Sequence, residues 1–280
     1  IADIVYEQLT GEKGVFSTRL AYVSKSPGRF QLIVADSDGA NSVAVVNSTE
    51  PIISPAWSPD GSRIAYVSFE GRKPSVYVQN VANGERALLV RASGNQSAPA
   101  WSPDGSRIVF ASSQAGGTQL FLANADGSNL RRLTNSGAID TTPNWAPDGR
   151  IYFMSDRGGS PQIYRMSPDG GSAERVTFEG SYNANPRVAA DGKSMVFVRR
   201  DGGREMLAVQ DFASRQVQLL TQGPVDESPS FAPNGKLIAY ASVYNGRGVL
   251  ATVSADGRVK QRLGASNADV REPAWGPLPR

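Results

Sequence analysis

Neither cysteine nor histidine occurs among the 280 residues. Without cysteine there is no disulfide, no thiolate nucleophile and no Cys-ligated zinc; without histidine there is no imidazole base. Most familiar hydrolase constellations are thereby removed. A Ser–Lys or a carboxylate pair remains as formal chemistry, yet the spacing of Ser, Lys, Asp and Glu singles out neither. No run approaches the roughly 18 apolar residues that a membrane-spanning helix needs, and the first residues lack the charged start and apolar stretch of a signal peptide. An excess of charge is missing as well, because 29 Lys and Arg against 26 Asp and Glu leave only +3. A chain-wide nucleic-acid footprint is therefore not expected, nor is membrane insertion. The lack of cysteine suits an oxidising or a reducing compartment equally. What is present, 40% hydrophobic residues with 29 Gly and 18 Pro, describes a well-cored globular body rather than a disordered one.

The chain repeats itself. Pro55-Ala56-Trp57-Ser58-Pro59-Asp60-Gly61 returns as Pro99-Ala100-Trp101-Ser102-Pro103-Asp104-Gly105 and as Pro143-Asn144-Trp145-Ala146-Pro147-Asp148-Gly149. Worn copies follow at Pro186 to Gly192 and Pro229 to Gly235, and the series ends at Pro273-Ala274-Trp275-Gly276-Pro277. Successive first prolines are 44, 44, 43, 43 and 44 residues apart. A second mark runs in phase: Asp38-Gly39, Asn83-Gly84, Asp126-Gly127, Asp169-Gly170 and Asp256-Gly257. Within one unit, segments 56–58, 63–69, 75–80 and 86–90 alternate in the manner of short strands bounded by Gly, Asn, Asp and Pro. Four strands per 40–45 residues make a propeller blade. The predicted fold is all-β, a six-bladed β-propeller.

Its closure is also legible. The first unit lacks its own Pro-x-Trp segment, and the last such segment has no strands after it, so the C-terminus should supply the innermost strand of the first blade and leave no open edge. Residues 15–280 form the expected propeller. Residues 1–14 differ: Ile1, Ile4, Val5 and Leu9 recur at helical spacing and Gly11 or Gly14 can cap the end. They are expected to be a helical remnant or linker from a missing N-terminal domain.

Trp57, Trp101, Trp145 and Trp275 sit at equivalent points, which favours packing between blades over an aromatic binding box. The Asp of each Pro-Asp-Gly lies in a turn, where Pro presets φ and Gly supplies a positive φ; a sialidase Asp-box would space its Gly and Trp differently. Function is expected on the opposite face, in the loops that lead into the inner strands. Those loops, 47–54, 91–98, 135–142, 178–185, 222–228 and 264–272, contain Glu50, Asp140, Glu179, Asp226, Glu227, Asp269 and Glu272 against Arg91 and Arg271. The loops outside them carry a net excess of five basic residues. An acidic mouth inside a basic rim would draw a cation, or a partner bearing Lys and Arg. No cofactor is expected, although such a mouth would admit a channel cation such as calcium. The binding residues predicted by position are Asn95, Gln96, Ala98, Thr141, Tyr182, Asn183, Asp226, Glu227, Asp269, Arg271 and Glu272. Tyr182 would serve as an aromatic anchor, the amides as donors and acceptors, and the carboxylates as partners for basic groups.

The string at 55–64, repeated nearly intact at 99–108, resembles the WD40-like propellers of the TolB family. So do Ile4 to Gly11, Ser155 to Tyr164 and the closing Pro273-Ala274-Trp275. Departures are modest: Val188 and Phe231 stand for Trp, Ala189-Ala190 for Ser-Pro, and Asn234 for Asp. The resemblance implies a noncatalytic periplasmic scaffold, monomeric, of the Tol-Pal envelope system, which serves envelope integrity and cell division. Its implied partner is the peptidoglycan-associated lipoprotein Pal, bound on one propeller face, where bacteriocin translocation segments can also bind. By that resemblance the loops before the third and fourth inner strands hold Pal, which points to Asn95, Ala98 and Thr141. Asn95 stands where some relatives carry His. The family's N-terminal domain, which contacts TolA, has no counterpart here, so a TolA contact is not expected. The alternatives are the propeller of a carboxylate-dependent glycosidase or of a peptidase that shares the repeat.

Overall fold

A computed structural model describes residues 1–264 and 268–279. Among these residues 24 strands form six four-stranded antiparallel sheets, and one helix precedes them. Blade 2 shows why the sequence adopts this form. Its strands Ile52–Trp57, Arg63–Ser68, Ser75–Asn80 and Arg86–Leu88 lie in chain order from inside to outside. Ile64 and Tyr66 point into a core shared with Ala21, Val23 and Leu32 of blade 1, whereas Ala65 and Val67 point into one shared with Trp101, Ile108 and Phe110 of blade 3. Each middle strand is buried on both faces, so it reads as a nearly continuous apolar run. Outermost strands have one neighbour, and several are short and polar, as in Arg131–Arg132, Arg86–Leu88 and Lys260–Arg262, which blunts the edge against pairing with other chains.

The C-terminal strand closes the ring. Asp269–Trp275 pairs with Arg19–Ser26, Leu20 opposite Trp275 and Ala21 opposite Ala274, so blade 1 is assembled from both ends of the propeller. The N–H of Gly276 then donates to the Arg19 carbonyl at 2.7 Å.

The Pro-Asp-Gly turns join the inner strands to the second strands. Gly61 takes φ 69° and donates its N–H to the Ser58 carbonyl at 2.9 Å. Asp60 accepts from the Ser58 hydroxyl at 2.6 Å and the Ser62 N–H at 3.1 Å. The Ser58 hydroxyl is the main reason its carboxyl is pushed down to about 2, and Ser102 does the same to Asp104. Two of the tryptophans bind a blade to the one before it: Trp57 Nε1 donates to the Ala274 carbonyl and Trp101 Nε1 to that of Ala56, both at 3.1 Å. Trp275 donates instead to Thr18 Oγ1 at 2.8 Å.

Every inner strand is broken at the same place. Pairing slips between Ile53 and Ala56, Ser97 and Ala100, Thr141 and Asn144, Ala184 and Arg187, and Glu227 and Ser230, and between Ala274 and Arg271 in the closing strand. The residue before each proline, Ser54, Ala98, Thr142, Asn185, Ser228 or Glu272, has a φ between 47° and 54°. The bulge turns these residues to the axis and lets the strand continue beyond it toward the mouth. Inner strands therefore start earlier than the sequence reading places them, at Ile52 rather than 56 in blade 2.

The helix spans Ala2–Thr10 and ends at Gly11, whose φ is 72° and whose N–H reaches the Glu7 carbonyl. Asp3 accepts from the N–H groups of Phe16 and Ser17 at 2.7 and 3.0 Å, and Tyr6 meets Phe16 edge to face. Lys236 pairs with Glu12 at 2.7 Å, which ties the segment to the turn face of blade 6. Ile1, Ile4, Val5 and Leu9 are exposed.

Candidate functional site

Counted back from the repeat prolines, the mouth residues fall into four levels, and the levels differ in what their side chains are free to do. The third residue before proline is Gln96, Asp140, Asn183 or Asp226 in blades 3 to 6, and all four are buried. Gln96 Oε1 accepts the Val76 N–H at 2.8 Å. Asn183 Nδ2 donates to Gln162 Oε1 and to the Glu179 carbonyl, both at 2.8 Å. Asp226 accepts from the Ser242 hydroxyl at 2.6 Å and the Gly223 N–H at 3.0 Å. Gln96 and Asn183 thereby staple the start of an inner strand to the blade before it, and Asp226 staples its strand to the second strand of its own blade. Gln96, Asn183 and Asp226, expected to contact a partner, are corrected to this supporting role, because the longer inner strands carry them inside.

The fourth residues before proline do reach the surface. Asn95 is exposed, while its N–H donates to Ser113 Oγ at 3.0 Å. Tyr182 is half-buried beneath the Arg200 guanidinium, 4.3 Å from the ring centre. Asp269 accepts from the Gly248 N–H at 2.7 Å and from Arg271 at 2.9 Å. At the second level stand Thr141 and Glu227, half-buried, and Arg271, exposed. Burial pushes the Glu227 carboxyl up, and the charges of Glu205 and Asp269 add to that while Arg271 opposes it. Residues 265–267 of the loop at 264–272 lie outside the described residues.

The first residues before proline form a ring around the axis. Together with Arg187 they line a cavity of about 230 Å³. Ala98 and Glu272 belong to this ring, whereas Thr141 does not: its counterpart in blade 3 is Ser97, and the ring position in blade 4 is Thr142. Sequence reasoning missed Ser54, Thr142, Asn185, Ser228 and Arg187. The signal for the first four was the proline that follows each; Arg187 was marked only by being a large cation where other units have Ala, Asn or Ser. Glu272 Oε2 accepts the Ser54 N–H at 2.5 Å. Burial raises its pKa, the Glu227 charge adds to the rise, and the Ser54 N–H opposes it. Burial lowers Arg187 to about 10, with Glu272 pulling the other way.

The acidic mouth and basic rim expected from loop charges are partly matched to each other. Arg157 forks onto Asp140 at 3.0 and 3.1 Å, Arg199 lies 3.7 Å from Glu179, Arg271 meets Asp269, and Arg200 meets Glu205. Arg157 and Arg199 of the rim reach mouth carboxylates, whereas Arg271 with Asp269 is a pair within the mouth and Arg200 with Glu205 one within the rim, so much of the charge on this face is paired locally. A channel cation such as calcium would meet the Arg187 guanidinium. Among the described residues no group of three or more acidic side chains is placed to hold a metal ion.

Residues 6–279 match a family described as the TolB beta propeller domain. A 64-residue stretch is 67% identical to the Tol-Pal system protein TolB of Dechloromonas aromatica, and equally so to that of Methylobacillus flagellatus. Each match spans 23% of this chain and 15% of the relative. The crystal structure of TolB from Acinetobacter baumannii superposes with a TM-score of 0.93 at 42% identity, covering 99% of this chain and 71% of that one. A chain of the nidogen/laminin complex, 14% identical over 94% of this chain and all of its own length, shares the fold with a TM-score of 0.77. With the family match spanning nearly every residue and the Acinetobacter structure following all six blades, the chain belongs to the TolB beta-propeller family.

Proposed function

We propose that this chain is a noncatalytic, periplasmic, protein-binding scaffold of the Tol-Pal envelope system, and that its mouth face binds the lipoprotein Pal. The observation that carries the reading is the loss of repetition at one end of the inner strands only. At the turn end, five of the six units keep the Pro-Asp-Gly turn or a close variant of it. At the mouth end, Asn95, Tyr182 and Asp269 occupy one position with an amide, a phenol and a carboxylate, and Glu227 and Arg271 occupy the next with opposite charges. Folding alone asks for no such variety. A protein partner does, since binding concentrates in a few chemically distinct anchors spread over a broad patch. The names of the relatives, Tol-Pal system protein TolB, support the same system.

The contact set follows from exposure: Asn95, Thr141, Tyr182, Glu227, Asp269 and Arg271 at the mouth, with Ala98 and Glu272 below them in the channel. Tyr182 lies under a guanidinium and offers a preordered aromatic surface. A bacteriocin segment that uses this face would compete with Pal. The glycosidase alternative would rest on Glu227 and Glu272, the carboxyl groups that burial raises together near the axis.

Calorimetric titration of the Pal periplasmic domain tests the reading. Wild-type protein should bind, Ala98→Arg should lose most of the affinity, and Tyr182→Ala should lose about 1–2 kcal/mol. Asp148→Asn, on the turn face, should bind as the wild type does. Loss of binding in Asp148→Asn with retention in Ala98→Arg would assign the partner to the other face. Reproducible turnover of a glycoside that vanishes in Glu227→Gln or Glu272→Gln would replace the scaffold by an enzyme.

A further inference from the structure

The partner reading draws on Ala98 and Glu272 of the ring and gives no role to the cation in the same cavity, Arg187. Arg187 follows Pro186, where the other units place Ala56, Ala100, Asn144, Ser230 and Ala274. Small residues there leave the channel open; the long side chain of Arg187 enters it. Among the described residues its guanidinium makes one hydrogen bond, from Nη1 to the carbonyl of its neighbour Pro186 at 2.8 Å, and no salt bridge. A guanidinium carries five N–H donors in a fixed fork. One carbonyl leaves most of them without a protein partner at the wall of the axial cavity.

The walls of the cavity add to this demand. Ser54, Thr142 and Ser228 bring hydroxyls to the lining, and Asn185 brings an amide. Thr142 Oγ1 is shielded from solvent and has no hydrogen-bond partner. Glu272 is the ring's carboxylate, but the Ser54 N–H holds its Oε2, and it forms no salt bridge with Arg187. The cavity thus contains an unmatched planar cation and an unmatched hydroxyl, and its one carboxylate is engaged elsewhere.

We propose that the axial channel is a binding site for a small monoanionic carboxylate, gripped by the Arg187 fork and steadied by the hydroxyl of Thr142. A planar carboxylate matches the guanidinium edge with two parallel hydrogen bonds, which a spherical halide cannot do. The Glu272 charge sets the limit on the other side: a dianion such as hydrogen phosphate would be repelled at close range in a confined space. The strained φ of the ring residues fits a site built for a ligand, since such backbone conformations gather at ligand clamps. The inference rests on the channel alone and stands whichever face Pal uses.

Sodium acetate is the probe, titrated into the whole chain by calorimetry and by thermal denaturation, with sodium chloride at equal ionic strength as control. Acetate should bind with 1:1 stoichiometry and raise Tm by about 2–5 °C at tenfold excess over Kd, with no matching rise in chloride or phosphate. Arg187→Gln should abolish the acetate-specific rise while remaining folded, because it removes a half-buried charge with almost no protein partners. Thr142→Val should weaken acetate about three- to tenfold, and Glu272→Gln should tighten it. An acetate effect no larger than that of chloride, or one that survives in Arg187→Gln, overturns the proposal. Should Arg187→Gln fail to fold, unchanged acetate affinity in both Thr142→Val and Glu272→Gln overturns it equally.

Discussion

The two ends of the same six inner strands obey different rules. At the turn end, Ser58-Pro59-Asp60-Gly61 and Ser102-Pro103-Asp104-Gly105 are held by the same bonds: a serine hydroxyl on the aspartate, a following N–H on the aspartate, and a glycine with positive φ. At the mouth end the side chains diverge from blade to blade, with only Ser54 and Ser228, and Asp140 and Asp226, shared between equivalent positions. The backbone there is as regular as in the turns, with φ within a few degrees at all six ring positions. Repetition of residues therefore marks where the fold is specified. Repetition of backbone with divergent residues marks where the fold has been put to use.

The closing strand is the place to break this comparison most severely, because it serves both ends at once. Deleting residues 271–280 removes the pairing at Leu20 and Ala21 and strips Trp275 from the core formed with Val15, Leu20, Ala232 and Ala239. Burial of one tryptophan is worth about 3–5 kcal/mol, and the unpaired ladder adds to the loss. The truncated chain should lose its cooperative thermal transition in circular dichroism; a melt coincident with wild type would reject closure by this strand.

A smaller effect sharpens the turn end. Asp60 and Asp104 have folded pKa values lowered from 3.8 to about 2, chiefly by the serine hydroxyls. Their contribution is present in full above the unfolded value and is lost as pH falls through about 2. The double variant Asp60→Asn and Asp104→Asn should show a shallower loss of stability between pH 4 and pH 2 in urea titrations. An unchanged slope would mean that these turns are held by Pro and Gly alone.

The smallest effect belongs to the ring. Thr142 is a β-branched residue at φ 47°, where such residues are uncommon, and Asn185 already occupies the equivalent position at 52°. Thr142→Asn should stabilise the protein by about 0.5–1 kcal/mol, measured as a shift in the urea midpoint with unchanged slope. Destabilisation would show that the Thr142 side chain is needed for packing.

The same asymmetry explains what could be read from the residues alone. Period, strand count, closure and the helix ending at Gly11 were legible, because each depends on local chemistry that repeats: Pro presets φ, Gly permits the turn, and apolar residues fill both faces of the middle strands. The start of the inner strands was not legible. Pro55 and its counterparts look like strand beginnings, since proline interrupts a ladder, and only the bulge shows that pairing resumes on the other side. That slip placed Gln96, Asn183 and Asp226 in loops and left the ring at Thr142 unseen. Charge pairing was hidden for a different reason. Arg157 and Asp140 are 17 residues apart and come from separate loops, so counting each loop by itself could not show that one neutralises the other.

The joining of both chain ends in blade 1 also has a temporal meaning. Leu20 and Trp275 share one pair of neighbouring strands, yet their synthesis is separated by almost the whole propeller. Blades 2 to 6 can each complete a sheet from contiguous residues as the chain lengthens, whereas blade 1 waits with the edge of Arg19–Ser26 unpaired until Asp269–Trp275 appears. Long-range pairing of this kind slows folding, and an open strand edge is exposed to wrong partners while it lasts. Growth of this molecule is thus sequential through blades 2 to 6 and circular in blade 1, and the ring cannot be locked before Asp269–Trp275 has been made.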